Sequence, residues 1–186
     1  SIHEKLIVIL DMGSKIQQCI NTDEYDNIKS VVNDYLKEGI AHTLDETRNL
    51  SDSGQFEDIS LQQGIRQILY PYEEMEVLNP EWEVILKDII DSLFEQMSDE
   101  EYNILNEEFG TYMVSRAYEY RQLLEYLVFR YFAKSIYDYD FLGKCQMLVT
   151  NFFVIRQMDI IRWLDNHREY SFKDRMDVVH IFSRQV

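Results

Sequence analysis

Apolar residues recur at helical spacing along nearly the whole chain, and no stretch alternates with the period of two that a half-buried strand needs. Leu6, Ile9, Leu10, Ile16 and Ile20, interrupted at Gly13-Ser14, predict one or two helices over residues 3–20. Asn21-Thr22-Asp23 reads as a stop and a new cap, and Tyr25 to Lys37 follows with Ile28, Val31, Val32 and Tyr35 on one face. Residues 42–60 are polar and read as a mobile loop. A shorter helix over 60–70 should stop at Tyr70-Pro71, because a residue before proline avoids the helical region.

Asn79-Pro80-Glu81 places a cap, a first-turn proline and an acidic residue at a helix start. Val84, Ile85, Ile89, Leu93 and Met97 are its predicted buried stripe. Ser98 followed three residues later by Glu101 is a capping box, opening a helix over 99–109 that should end near Gly110. A long helix is predicted over about 112–133. Another covers about 138–167, with Leu142, Cys145, Leu148, Val149, Phe152, Phe153, Ile160 and Leu164 inward. Ser171 caps the last helix, whose Val178, Val179, Phe182 and Val186 keep helical spacing to the final residue without a stop signal. The expected fold is all-α, an irregular orthogonal or antiparallel bundle of about seven to eight helices in a single domain over 1–186. The unstopped last helix and the Ser-Ile-His start favour a fragment of a longer protein over a naturally frayed end.

Composition narrows the function classes. With 46% hydrophobic residues the chain buries a core, so disorder is excluded for most of its length. Two cysteines, Cys19 and Cys145, exclude a disulfide scaffold, a four-cysteine zinc site and an iron–sulfur cluster held by this chain alone. Charge divides the sequence. Residues 1–110 hold 7 Lys/Arg against 25 Asp/Glu, a net of −18, while 111–186 hold 11 against 9, a net of +2, with 16 of the 25 aromatic residues. The overall −16 argues against nonspecific binding to nucleic acid or an anionic membrane. The acidic half reads first as a solvated face that keeps the chain soluble, and otherwise as a surface that attracts a basic partner or lysine-rich substrate. No run is long enough for a membrane span and no secretory signal opens the chain, so a cytosol, bacterial-type or eukaryotic, is the expected compartment.

Sequence motifs for the commoner chemistries are missing. The six glycines are isolated, so no Gly-rich phosphate or dinucleotide turn and no P-loop exists. Neither H-E-x-x-H nor E-x-x-H occurs. Asp177 and His180 lie one helical turn apart, a spacing more often met in a surface hydrogen bond than in a metal site, and no metal is expected. Cys145 lies in an apolar stripe and reads as a buried, inert thiol. The tyrosines between Tyr112 and Phe141 fit the rim of a helix interface, or a pocket wall holding a cationic side chain. Arg130, Arg156 and Arg162 lie near apolar stripes and read as ion-pair partners or as ligands for a carboxylate or phosphate.

Four segments carry a family likeness through their order and spacing: HEKLIVILDMGSKIQQCI (His3–Ile20), LLEYLVFRYF (Leu123–Phe132), MLVTNFFVIRQMDIIRWL (Met147–Leu164) and DVVHIFSRQV (Asp177–Val186). Together they resemble the C-terminal helical region of the flagellin lysine-N-methylase family. The likeness implies methyl transfer from S-adenosylmethionine to lysine ε-amines of flagellin. It also implies an N-terminal Cys-rich, metal-chelating segment with an iron–sulfur cluster, which this chain lacks. The positions carried over are Tyr126, Arg156, Ser183 and Arg184. With Arg130 they form the candidate substrate-binding set, and no catalytic residue is assigned. The expected role is substrate binding or scaffolding, with no cofactor bound by this chain and no activity in the chain alone. Its expected partner is a flagellin-like protein or the missing N-terminal segment. A non-catalytic protein-interaction or ligand-sensing helical module is the rival reading.

Overall fold

The computed structural model describes residues 2–38, 43–45 and 59–186. Nine helices and no strand occur among them. They are α1 (Ile2–Asn21), α2 (Tyr25–Glu38), α3 (Leu61–Glu73), α4 (Pro80–Ile90), α5 (Asp99–Tyr112), α6 (Ala117–Tyr131), α7 (Ser135–Asp138), α8 (Phe141–Asp165) and α9 (Phe172–Gln185). The all-α expectation is met. Most of the loop expected over 42–60 lies outside the described residues. The chain divides into two compact units, one from residues 1–58 and 118–149 and the other from 59–117 and 150–186.

In the first unit α1 runs unbroken through Gly13-Ser14. Gly13 serves a close approach rather than a break. A Cβ there would lie 2.6 Å from Cys145 Sγ, so any larger residue would push α8 away. Gln17 fixes the same junction. Its Oε1 accepts from the backbone N–H groups of Phe141 (2.8 Å) and Leu142 (3.1 Å), two donors that the start of α8 leaves unpaired within the helix. Its Nε2 donates to the carbonyl of Tyr139 at 3.0 Å. The Tyr35 hydroxyl of α2 donates to Asp11 of α1, which also pairs with Lys15 at 3.0 Å.

In the second unit α3 continues past Pro71 to Glu73, where the sequence predicted a stop. Tertiary packing overrides the proline. Tyr72, one residue later, is buried, packs on Trp82 with ring centroids 6.0 Å apart and donates its hydroxyl to Asn151 Oδ1 at 2.6 Å. Three caps read from sequence are present: Asn79 accepts from Glu81 N–H, and Ser98 and Ser171 close capping boxes with Glu101 and Asp174. The buried face of α4 is Trp82, Ile85, Leu86 and Ile89, so the predicted stripe is rotated and Val84 is 63% exposed. A π-helical turn over Asp91–Glu95 extends α4. Gln62 of α3 donates to the carbonyls of Leu93 (2.6 Å) and Met97 (2.8 Å) beside it. α5 passes Gly110 to Tyr112, and a 3₁₀ turn over Val114–Arg116 follows, so the helix predicted over about 112–133 starts only at Ala117 and ends at Tyr131.

The core of this unit is the later part of α8. Asn151, Phe152 and every residue from Val154 to Ile161 are buried, so this helix is enclosed on all sides rather than along one stripe. Four of those residues are polar, and each has a partner. Asn151 accepts from Tyr72, and Gln157 Oε1 accepts from the Tyr102 hydroxyl at 2.9 Å. Arg156 donates to Asn106, and its guanidinium lies 5.4 Å from the Phe109 ring. Asp159, fully buried, accepts from Arg175 at 2.5 Å and from the Tyr170 hydroxyl. Burying a charge is tolerable only when it is paired and hydrogen-bonded, as it is here.

Candidate functional site

The second unit holds a cleft of about 600 Å³ walled by α4, α8 and α9, a size suited to a small molecule or an inserted side chain. Its back is apolar. Ile85 of α4, Ile161 of α8 and Ile181 of α9 face it, and the walls are fixed behind them by Trp82 of α4 against Phe182 of α9, ring centroids 6.1 Å apart. Its charged groups come from three stretches of sequence. Glu81 and Asp88 stand two turns apart on α4, Arg162 and Asp165 close α8, and Asp177, His180 and Arg184 follow one face of α9. Four carboxylates therefore face two guanidinium groups and one imidazole, an excess of negative charge around an apolar floor. Gln185 anchors the end of α9: its Oε1 accepts from the Leu78 and Asn79 N–H groups (2.9 and 3.2 Å) and its Nε2 donates to the Glu76 carbonyl at 2.7 Å. At the other end of α9, burial pushes the Asp174 carboxyl up, but hydrogen bonds from Ser171 and Asn166 and the charge of Arg162 outweigh it and hold the group below its ordinary range.

The structure separates the residues singled out from sequence. Arg184 lines the cleft together with the Asp177–His180 pair. Ser183, next to it, turns its hydroxyl back to the His180 carbonyl at 3.1 Å. Arg156 is buried within its unit on Asn106 and Phe109. Tyr126 and Arg130 belong to the first unit, where both are exposed and Arg130 donates to the Tyr126 hydroxyl at 2.8 Å. None of the tyrosines between 112 and 141 lines the cleft. Glu81, Asp88 and Asp165 were missed. Glu81 was read as a helix-start charge, its seven-residue spacing to Asp88 was the one signal that could have joined those two, and no signal tied Asp165 to them.

A family model, the FliB lysine N-methylase C-terminal domain, matches residues 1–186, the entire chain. The chain belongs to this family. No curated protein and no solved structure matches it. The segments that carried the likeness become elements of this FliB C-terminal domain: Leu123–Phe132 ends α6, Met147–Leu164 is most of α8, and Asp177–Val186 is most of α9. A methylase of this kind implies a methyl donor and, by the family likeness, an iron–sulfur cluster. The donor set here does not fit a cluster. Cys19 and Cys145 are both buried in the first unit, two thiols cannot supply four ligands, and burial pushes the Cys145 thiol up to about 11, away from the thiolate that metals bind. Neither do the described residues offer a glycine-rich strand-to-helix turn for a nucleoside cofactor. No helix of the FliB C-terminal domain is long and apolar enough, among the described residues, to cross a membrane.

Proposed function

We propose that this domain is the substrate-binding part of a bacterial cytoplasmic methylase that transfers methyl groups from S-adenosylmethionine to flagellin lysines. Methyl-donor and iron–sulfur chemistry would then reside outside this chain. The observation that carries the reading is the acid-lined cleft with its apolar floor. A lysine has a cationic head on an aliphatic stem. Glu81, Asp88, Asp165 and Asp177 would attract the ammonium, while Ile85, Ile161 and Ile181 would pack the stem. Methylation by a polar route requires the ammonium to give up a proton first, because only the neutral amine has a lone pair that can act as nucleophile. His180, which shares the cleft lining with Asp177, would be the group to accept that proton.

The test is a methyl-transfer assay with flagellin and S-adenosylmethionine. The chain alone should give no turnover. In the methylase that carries this domain, Asp88→Asn and Asp177→Asn should each raise KM for flagellin about 2- to 5-fold, with kcat little changed, as expected for loss of one partly exposed charge interaction. Robust turnover by the isolated chain, or an unchanged KM in both variants, would refute the reading.

A further inference from the structure

The first unit carries a second hollow of different character. Ile16 and Ile20 of α1, Ile28 and Val32 of α2 and Ile136 of α7 line a groove of about 430 Å³. The helix that forms one wall is poorly covered: no residue of α2 from Tyr25 to Lys37 is buried, its apolar stripe Ile28, Val31, Val32 and Tyr35 is only half-buried, and Ile136 across the groove is 72% exposed. An apolar face left open to water marks a surface that another molecule covers.

Tyr25 forms one end of this groove and also lines an adjoining hollow walled by Asp23, Glu24, Asp26 and Asn27. Tyr25 thus brings three carboxylates to that end of the groove, Asp23 accepting from the Tyr25 hydroxyl and Glu24 from Asn27, and neither hollow is lined by a basic residue. We infer that the groove docks an amphipathic helix of a partner protein, with apolar residues at i, i+3, i+4 and i+7 on its floor and a lysine or arginine at the end that meets Asp23, Glu24 and Asp26. A helix satisfies its own backbone hydrogen bonds. An extended peptide that binds by strand addition would need a strand edge, and none exists among the described residues. The sign of the mouth selects a basic end. It also selects against a symmetric pair of copies, in which the two acidic ends, Asp23, Glu24 and Asp26, would meet. The site lies in the first unit and is independent of the lysine reading of the cleft in the second.

Fluorescence anisotropy with the full chain tests it. The probes are synthetic amphipathic helices of about 15 residues, with leucines at i, i+3, i+4 and i+7 and either lysines or glutamates at one end. The lysine-ended helices should bind at least about tenfold more tightly, and Asp23→Asn with Asp26→Asn should erase that difference. Position 23 has a left-handed backbone (φ 58°), which asparagine accepts. Ile136→Ser should weaken binding about tenfold while leaving the circular dichroism spectrum unchanged, since the side chain is mostly exposed. Equal affinity for both helices, binding by neither, or binding indifferent to Ile136→Ser would overturn the proposal. So would self-association in sedimentation that Ile136→Ser abolishes.

Discussion

Asp159→Ala should destabilise the second unit by about 3–5 kcal/mol, because it leaves the Arg175 guanidinium buried without its carboxylate. Asp159 is fully buried and Arg175 is 5% exposed, so water cannot take over the lost contact at little cost. The same substitution removes the acceptor of the Tyr170 hydroxyl, and Tyr170 lies 5.4 Å beneath the Arg175 guanidinium. Urea unfolding followed by tryptophan fluorescence reads the effect, since Trp82 and Trp163 both lie in this unit. Replacing both partners, Asp159→Leu with Arg175→Met, should recover a large part of the loss. A single-variant cost below about 1 kcal/mol, the range of exposed pairs, would contradict the assigned burial.

Trp82→Ala should cost about 3–5 kcal/mol as well, through lost burial and the cavity left behind. Trp82 is 1% exposed and touches Tyr72 of α3 and Phe182 of α9. Through Phe182 it ties its own helix α4 to α9, the two helices that supply most of the cleft's charged groups, and its removal should loosen the site as well as the fold. The expected signature is a large drop in the urea midpoint, read through the fluorescence of Trp163, together with loss of ligand binding under conditions where the variant is still folded. Trp82→Phe keeps most of the apolar volume and should retain binding. Loss of stability with fully retained binding would show that α4 and α9 do not depend on this contact for the cleft.

The sequence made the helix starts legible because their signals are local: Asn79 with Pro80, Ser98 with Glu101 and Ser171 are caps whose hydrogen bonds close within three residues. Helix ends were less legible. Tyr72 carries α3 through Pro71 by a hydrogen bond to a residue 79 positions away, which no local rule contains. The enclosure of α8 was hidden for the same reason: Gln157, Asp159 and Arg156 look like the polar face of an amphipathic helix until Tyr102, Arg175 and Asn106 are brought to them. The cleft was half visible. Asp177, His180 and Arg184 share one face of one helix, whereas Glu81, Asp88 and Asp165 reach the same hollow from distant segments and form no motif. Family likeness, spread over four helical segments, was legible without any catalytic signature. It recognised the chain but could not choose between Tyr126 and Arg130 in one unit and Arg184 in the other.

The most direct test of the cleft as a lysine site is calorimetric titration of this chain with a lysine-bearing flagellin peptide, against the same peptide with that lysine replaced by norleucine. The account predicts measurable binding of the lysine peptide that falls several-fold with norleucine, with added salt and with Asp88→Asn/Asp177→Asn. Equal binding of the two peptides, or binding untouched by the double variant, would contradict it.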